Sequence, residues 1–243
     1  MERVIVTRNE SPLLLISPHS HKSNDDFTGL ITEIITENLG CNCVINQGWK
    51  RADQYDYDKG RANCNNVTHC HCEVVREEFL DPIMSIVSSI ISEFNEAQII
   101  LIHGFGKQIR KSVKGNIDGV VGYGTVNQPS CEIWRKNAFL YCSQRNKLNF
   151  YQGKAGGKYS GANQNNLNQL YRKWYNDHNV NSLQLELVKE LRENQDMSEY
   201  TAETLTKCIE NYMEMIETID DSGDRPVWAE KDWEVIGSKA LEF

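Results

Sequence analysis

The chain has 243 residues, 40% hydrophobic and 25% charged, a globular composition with enough apolar material for one well-buried core. Its 26 Lys and Arg stand against 34 Asp and Glu, a net charge of −8 with no basic run, which argues against a nucleic-acid partner because phosphate backbones are met by basic patches. Near the N-terminus the longest apolar run, Leu13 to Ile16, is too short for a membrane span or a signal segment, so a cytoplasmic location without a membrane partner is expected, with the eight cysteines reduced.

In chain order, Pro12 to Ser17 (PLLLIS) reads as a buried central strand ending at Pro18-His19. Phe27 to Leu39 reads as an amphipathic helix, with an Asp or Thr available as N-cap and Gly40 closing it. Cys43 to Asn46 is a short strand. Residues 48 to 72 are polar and irregular, too long for a plain connector, and are expected to form a functional loop. Glu73 to Phe94 has helical periodicity with Pro82 as a break or a fresh start, and Gln98 to Ile102 is a second buried strand ending in His103-Gly104.

Beyond it, Ile117 to Gly122 reads as a short strand, Cys131 to Gln144 as a helix, Leu148 to Gln152 as an edge strand and 153 to 161 as a glycine-rich loop. Asn166 to Tyr175 is a short helix, Ser182 to Leu187 a third buried strand and Met197 to Ile219 a long helix; the tail from Asp220 has no assignment. No repeat or domain boundary stands out. The alternation predicts a single α/β domain over residues 1–243, a three-layer αβα arrangement around a mostly parallel mixed sheet.

Three apolar strands run into His19, His103 and Glu186. In open α/β sheets ligands bind beyond the carboxyl ends of parallel strands, and two imidazoles and a carboxylate converging there make a zinc site with a base beside it. Each residue alone has a plain alternative, a loop histidine or a solvent-facing glutamate. Glu186 interrupts an apolar strand, where an unpaired buried carboxylate is costly. Asp25 and Asp26 stand where a helix N-cap belongs and are also ligand-capable.

Cys64, His69, Cys70, His71 and Cys72 lack knuckle spacing, so they read as a reduced loop before a structural metal site. The stretch Gly104-Phe105-Gly106-Lys107 lacks the phosphate-loop pattern, and no serine elbow exists, which disfavours nucleotide binding and serine hydrolysis.

With these residues in hand, the chain resembles the N-formylglutamate amidohydrolase-like and poly-γ-glutamate hydrolase-like zinc hydrolases, whose core is related to zinc carboxypeptidases. The similarity rests on Ser17-Pro18-His19-Ser20, Asp25 before Thr28, Ile102-His103-Gly104, Lys158-Tyr159-Ser160-Gly161 followed by Leu183-Gln184-Leu185-Glu186-Leu187, and Gly60-Arg61-Ala62-Asn63. It implies one zinc per chain on His19, Asp25 and His103, Glu186 as general base and Arg61 as anchor for a substrate carboxylate. It also implies a small-molecule or peptide substrate, an N-acyl amino acid or a glutamyl peptide. Tyr159, in the glycine-rich loop, is a candidate donor to the tetrahedral intermediate, with a loop aromatic packed on the surface as its plainer alternative. The spacing from His19 to Asp25 is one residue longer than the resemblance leads one to expect, so Asp26 or His21 remains an alternative third ligand. The reading from a different class is a non-catalytic metal-binding module of the same fold with a Cys/His-rich regulatory loop.

Overall fold

The computed structural model describes residues 2–21, 27–105, 117–125, 127–157, 159–230 and 235–236. Its strands are β1 Val4–Thr7, β2 Leu13–Ser17, β3 Asn42–Asn46, β4 Ala97–Phe105, β5 Gly119–Gly122, β6 Gly124–Thr125, β7 Gln128–Pro129, β8 Phe150–Gly153, β9 Val180–Val188 and β10 Val235–Ile236. Its α-helices are α1 Thr28–Leu39, α2 Val67–Cys70, α3 Glu73–Val75, α4 Asp81–Phe94, α5 Ile133–Arg145, α6 Leu167–His178 and α7 Gln195–Ser222. Eight strands form one sheet in the order β1-β3-β2-β4-β9-β5-β8-β10, and β6 pairs with β7 separately. Strands β3, β2, β4 and β9 are mutually parallel, β1 is antiparallel to β3, and β5 reverses direction against β9. The fold is the mixed three-layer α/β arrangement that the alternation of elements predicts.

The two faces of the sheet follow from side-chain alternation along each strand. On β9, Leu183, Leu185 and Leu187 join the core built with α1, α5 and α7. The intervening Ser182, Gln184 and Glu186 point to the other face, where α4, α6 and the 48–72 loop pack over Leu14, Ile16, Val44, Ile99 and Leu101. β2 and β4 are buried on both faces, which is why they read as unbroken apolar runs.

Four local expectations are corrected. First, helix α1 is not capped by Asp or Thr: its N-cap is Phe27 in the left-handed region (φ 63°) with no side-chain cap, and Thr28 is its first residue. Second, the segment after Glu73 is not a continuous α-helix. A π-turn over Arg76–Leu80, in which the Asp81 N–H reaches back to the Arg76 carbonyl, precedes Pro82 and α4. The wider turn relieves the clash a proline ring makes with the carbonyl four residues earlier. Third, β8 is not an edge strand, because Val235–Ile236 of the tail pairs alongside it in parallel. Fourth, β4 continues through His103 to Phe105, since β9 pairs with it residue for residue from Ala97↔Val180 to Phe105↔Val188.

The tail also turns at Val227–Glu230 against α5, where Trp228 stacks on Tyr141 with ring centroids 5.0 Å apart. At the opposite end of the sheet from the histidines, the buried Arg135 of α5 gathers Glu96, Glu132 and Asp220 at 2.7, 3.0 and 2.6 Å. Among the described residues no helix is long and apolar enough to cross a membrane. All eight cysteines are free thiols.

Gly122 is required by close approach. A Cβ added to it would collide with the Tyr159 carbonyl oxygen, so only glycine lets the backbone of Tyr159 and Ser160 lie against β5. Gly122→Ala is expected to lower unfolding stability by about 1–3 kcal/mol, as overpacking against backbone does, read as a lower denaturant midpoint at unchanged slope.

Candidate functional site

The sheet brings the strand-end residues together. His103 and Glu186 are register partners on parallel strands, so both side chains leave the same face, that of α4, α6 and the 48–72 loop. His19 follows β2 by two residues. Its ring stands edge-on to that of His103, with centroids 5.0 Å apart, and both histidines are buried. The turn that carries His19 is fixed from two sides. Asn46, at the end of β3, donates from Nδ2 to the Pro18 carbonyl at 2.8 Å, and Ser20 Oγ bonds Ser17 Oγ at 2.6 Å.

Glu186 is 8% exposed, so it is not the solvent-facing residue of an alternating strand. Gln184, on the same face of β9, donates from Nε2 to its carboxylate at 2.9 Å, and Asn166 donates in turn to the Gln184 carbonyl oxygen at 3.2 Å. Burial first, and then the Glu186 charge, raise the Tyr159 phenol above its usual pKa. Tyr159 itself rests on Phe105 with centroids 5.4 Å apart.

The 48–72 loop closes the site. Its anchor is the fully buried Trp49, whose indole N–H donates to Glu78 at 2.8 Å while the Arg3 guanidinium lies 4.4 Å over the ring. Asn63 Oδ1 lies 2.7 Å from His19 Nε2. The Asn63 backbone N–H donates to His69 Nδ1 at 2.9 Å. Cys64 and Cys70 are buried in the core beside Trp49 and Tyr171, with the Cys70 thiol donating to the Cys64 carbonyl, whereas His71 is exposed.

Asn63 and Gln184 lie within the motifs that carry the resemblance, but the sequence gives neither of them a role. Arg61 is exposed, two residues from Asn63, with its backbone paired to Lys50 and Asp56. His21 is half-buried in the turn. Asp25, its alternative Asp26 and Lys158 lie outside the described residues. Among the described residues no group of three or more His, Cys, Asp or Glu side chains is placed to hold a metal ion. The donor set that is gathered, two buried imidazoles with a carboxylate beside one of them, is of the N/O type that zinc accepts.

No protein-family model matches the chain, and no curated protein matches it by sequence. Solved structures do match. N-formylglutamate amidohydrolase from Ralstonia eutropha superposes with a TM-score of 0.60 at 13% identity, over 91% of this chain and 100% of that one. A gene product of Agrobacterium tumefaciens gives 0.59 at 13% identity, over 89% and 97%. A bacteriophage poly-γ-glutamate hydrolase gives 0.51 at 14% identity, over 87% and 89%. The chain therefore shares the fold of the group that its motifs resemble.

His69 generates a pH prediction. Burial lowers its pKa below the ordinary 6.5, and its Nδ1 accepts a hydrogen bond only when unprotonated. As pH falls through 6.5 the unfolded chain binds this proton before the folded one, so stability is complete above that value and declines towards the depressed folded pKa. Urea midpoints measured from pH 8 to pH 5 are expected to fall below about pH 6.5, and less steeply in His69→Gln.

Proposed function

We propose that the chain is a zinc-dependent amidohydrolase that cleaves an amide bond of a carboxylate-bearing substrate, an N-acyl amino acid or a glutamyl peptide. The observation that carries this reading is the buried pair of His19 and His103, ring centroids 5.0 Å apart, with Glu186 in register beside His103. The names of the structural neighbours, an N-formylglutamate amidohydrolase and a poly-γ-glutamate hydrolase, support the same class.

His19, Asp25 and His103 would hold the metal, one ion per chain. A zinc ion held there would supply Lewis-acid polarisation of the substrate carbonyl and would make water more acidic. Glu186 accepts a proton from the water that attacks the carbonyl carbon, then delivers it to the amine nitrogen as the C–N bond breaks. The products are a carboxylic acid and an amine, and Glu186 returns to its starting state. The Gln184 amide keeps the carboxylate aimed in one direction throughout.

Tyr159, whose pKa is raised, stays protonated and can donate to the oxygen on which negative charge builds. Arg61 is an exposed guanidinium on the loop whose Asn63 touches His19, and it would pair bidentately with the substrate carboxylate. A buried carboxylate set beside a histidine favours an enzyme over a module that only binds metal.

Wild-type protein is expected to contain one zinc per chain by elemental analysis, and His103→Ala is expected to lose it. Retention of zinc in that variant would move the metal to the Cys/His segment. Glu186→Gln is expected to lower kcat on N-acyl amino acids or γ-glutamyl peptides by roughly 100- to 10,000-fold with zinc content unchanged. Full activity in that variant would sink the general-base role.

A further inference from the structure

Two stretches 100 positions apart share one pattern, Ala62-Asn63-Cys64-Asn65-Asn66-Val67 and Ala162-Asn163-Gln164-Asn165-Asn166-Leu167. They fold identically. Asn65 N–H donates to Asn63 Oδ1 at 3.0 Å, and Asn165 N–H to Asn163 Oδ1 at 3.0 Å. Asn66 N–H and Asn166 N–H each return to the carbonyl three residues earlier at 2.8 Å. Asn66 and Asn166 then cap the helices that follow, accepting from Thr68 N–H at 2.9 Å and Asn168 N–H at 2.8 Å. The two turns also bind each other reciprocally: Val67 N–H donates to the Asn165 carbonyl and Leu167 N–H to the Asn65 carbonyl, both at 2.9 Å.

The backbones are equivalent, but the side chains at the first asparagine are not. Asn163 is exposed, whereas Asn63 reaches His19. The turn itself settles the chemistry of that contact. Because Asn63 Oδ1 accepts the Asn65 N–H, the amide end at this position is oxygen, not nitrogen. The same oxygen lies 2.7 Å from His19 Nε2, so Nε2 must carry the proton, and Nδ1 is then the nitrogen with the lone pair.

We propose that the paired turns form a clasp whose function is to hold Asn63 as the positioning residue of His19, fixing its Nε2–H tautomer so that Nδ1 is the metal-binding atom. The other half of the clasp reaches Glu186, through Asn166 and Gln184, so one backbone pairing indexes both residues. Outer hydrogen bonds of this kind orient metal-binding imidazoles and commonly change affinity by about 10- to 100-fold. The inference rests on the zinc reading above for its consequence, but the tautomer stands on the hydrogen bonds alone.

The twin turn supplies the control. Zinc affinity of the full chain is measured by competition with a chromophoric chelator for wild type, Asn63→Ala, Asn63→Asp and Asn163→Ala, with apo thermal midpoints alongside. Both alanine variants lose the same turn bond, and Asn63→Ala also leaves the buried His19 Nε2–H without its acceptor, so both apo midpoints are expected to fall, that of Asn63→Ala further. Only Asn63→Ala is expected to weaken zinc, by about 10- to 100-fold, with Asn63→Asp restoring it because a carboxylate also accepts from Nε2–H. Equal zinc affinity in the two alanine variants would overturn the proposal. Long-range 1H–15N spectra of the apo protein give the readout that needs no metal: a protonated Nε2 on His19 in wild type and Asn163→Ala, lost to a mixture in Asn63→Ala, is expected. A protonated Nδ1 in wild type overturns the assignment. Failure of wild type to bind zinc while Nε2 is protonated would count against the hydrolase reading and the ligand role of Nδ1, with the Asn63 contact upheld.

Discussion

The arrangement depends on the parallel pairing of β4 with β9 over nine registered positions, which sets His103 beside Glu186. Strand alternation has a period of two, so a slip of one residue would send one of the two through the sheet to the leucine core of α1, α5 and α7. The slip is resisted by hydrophobic burial on both faces: Leu183, Leu185 and Leu187 on one side, Ile99 and Leu101 on the other. At about 1.5–3 kcal/mol for each fully buried aliphatic side chain, a register that exposed any of them would lose more than a hydrogen bond returns. The apolar core thus places the polar pair.

Once that face carries a histidine and a carboxylate, it cannot be closed by apolar packing alone. The residues that meet it are amides and hydroxyls: Ser182 and Gln184 on β9, Asn166 and Asn168 at the start of α6, and Asn63 on the loop. Each is hydrogen-bonded, which is the condition for burying such groups without a large penalty. Trp49, wedged between Glu78 and Arg3, then holds the loop down from the side.

The strands that carry the site were legible because double burial writes them as continuous apolar runs. Their ends were less so. His103 reads as a terminator in the sequence, yet the strand continues past it, because pairing with β9 supplies the backbone partners that a polar side chain does not forbid. β8 reads as an edge since its neighbour, Val235–Ile236, is more than eighty positions away. The cap of α1 was misread because Phe27 takes a left-handed backbone that residue preferences give no reason to expect. Asn63 stands in one of the quoted motifs without a role for the opposite reason: its residue type is ordinary in a loop, and only the fold shows which ring it meets. A signal was present in the recurrence of Ala-Asn-x-Asn-Asn, shorter than any repeat that would mark a domain architecture.

That recurrence separates two demands usually met by one residue. A turn of this kind needs an asparagine at its first position to take the backbone N–H two residues on, and Asn163 does that with its remaining surface in solvent. Asn63 meets the same demand and accepts a second bond from the imidazole. A carboxylate would accept both donors as well, but it would add another negative charge to a closed face that already holds Glu186. The neutral amide gives His19 its direction and leaves the charge of the site to the groups that would meet the metal and the proton. Direction comes from the turn and charge from the strand end, and the backbone bridge between Asn66 and Asn166 keeps the two in one frame.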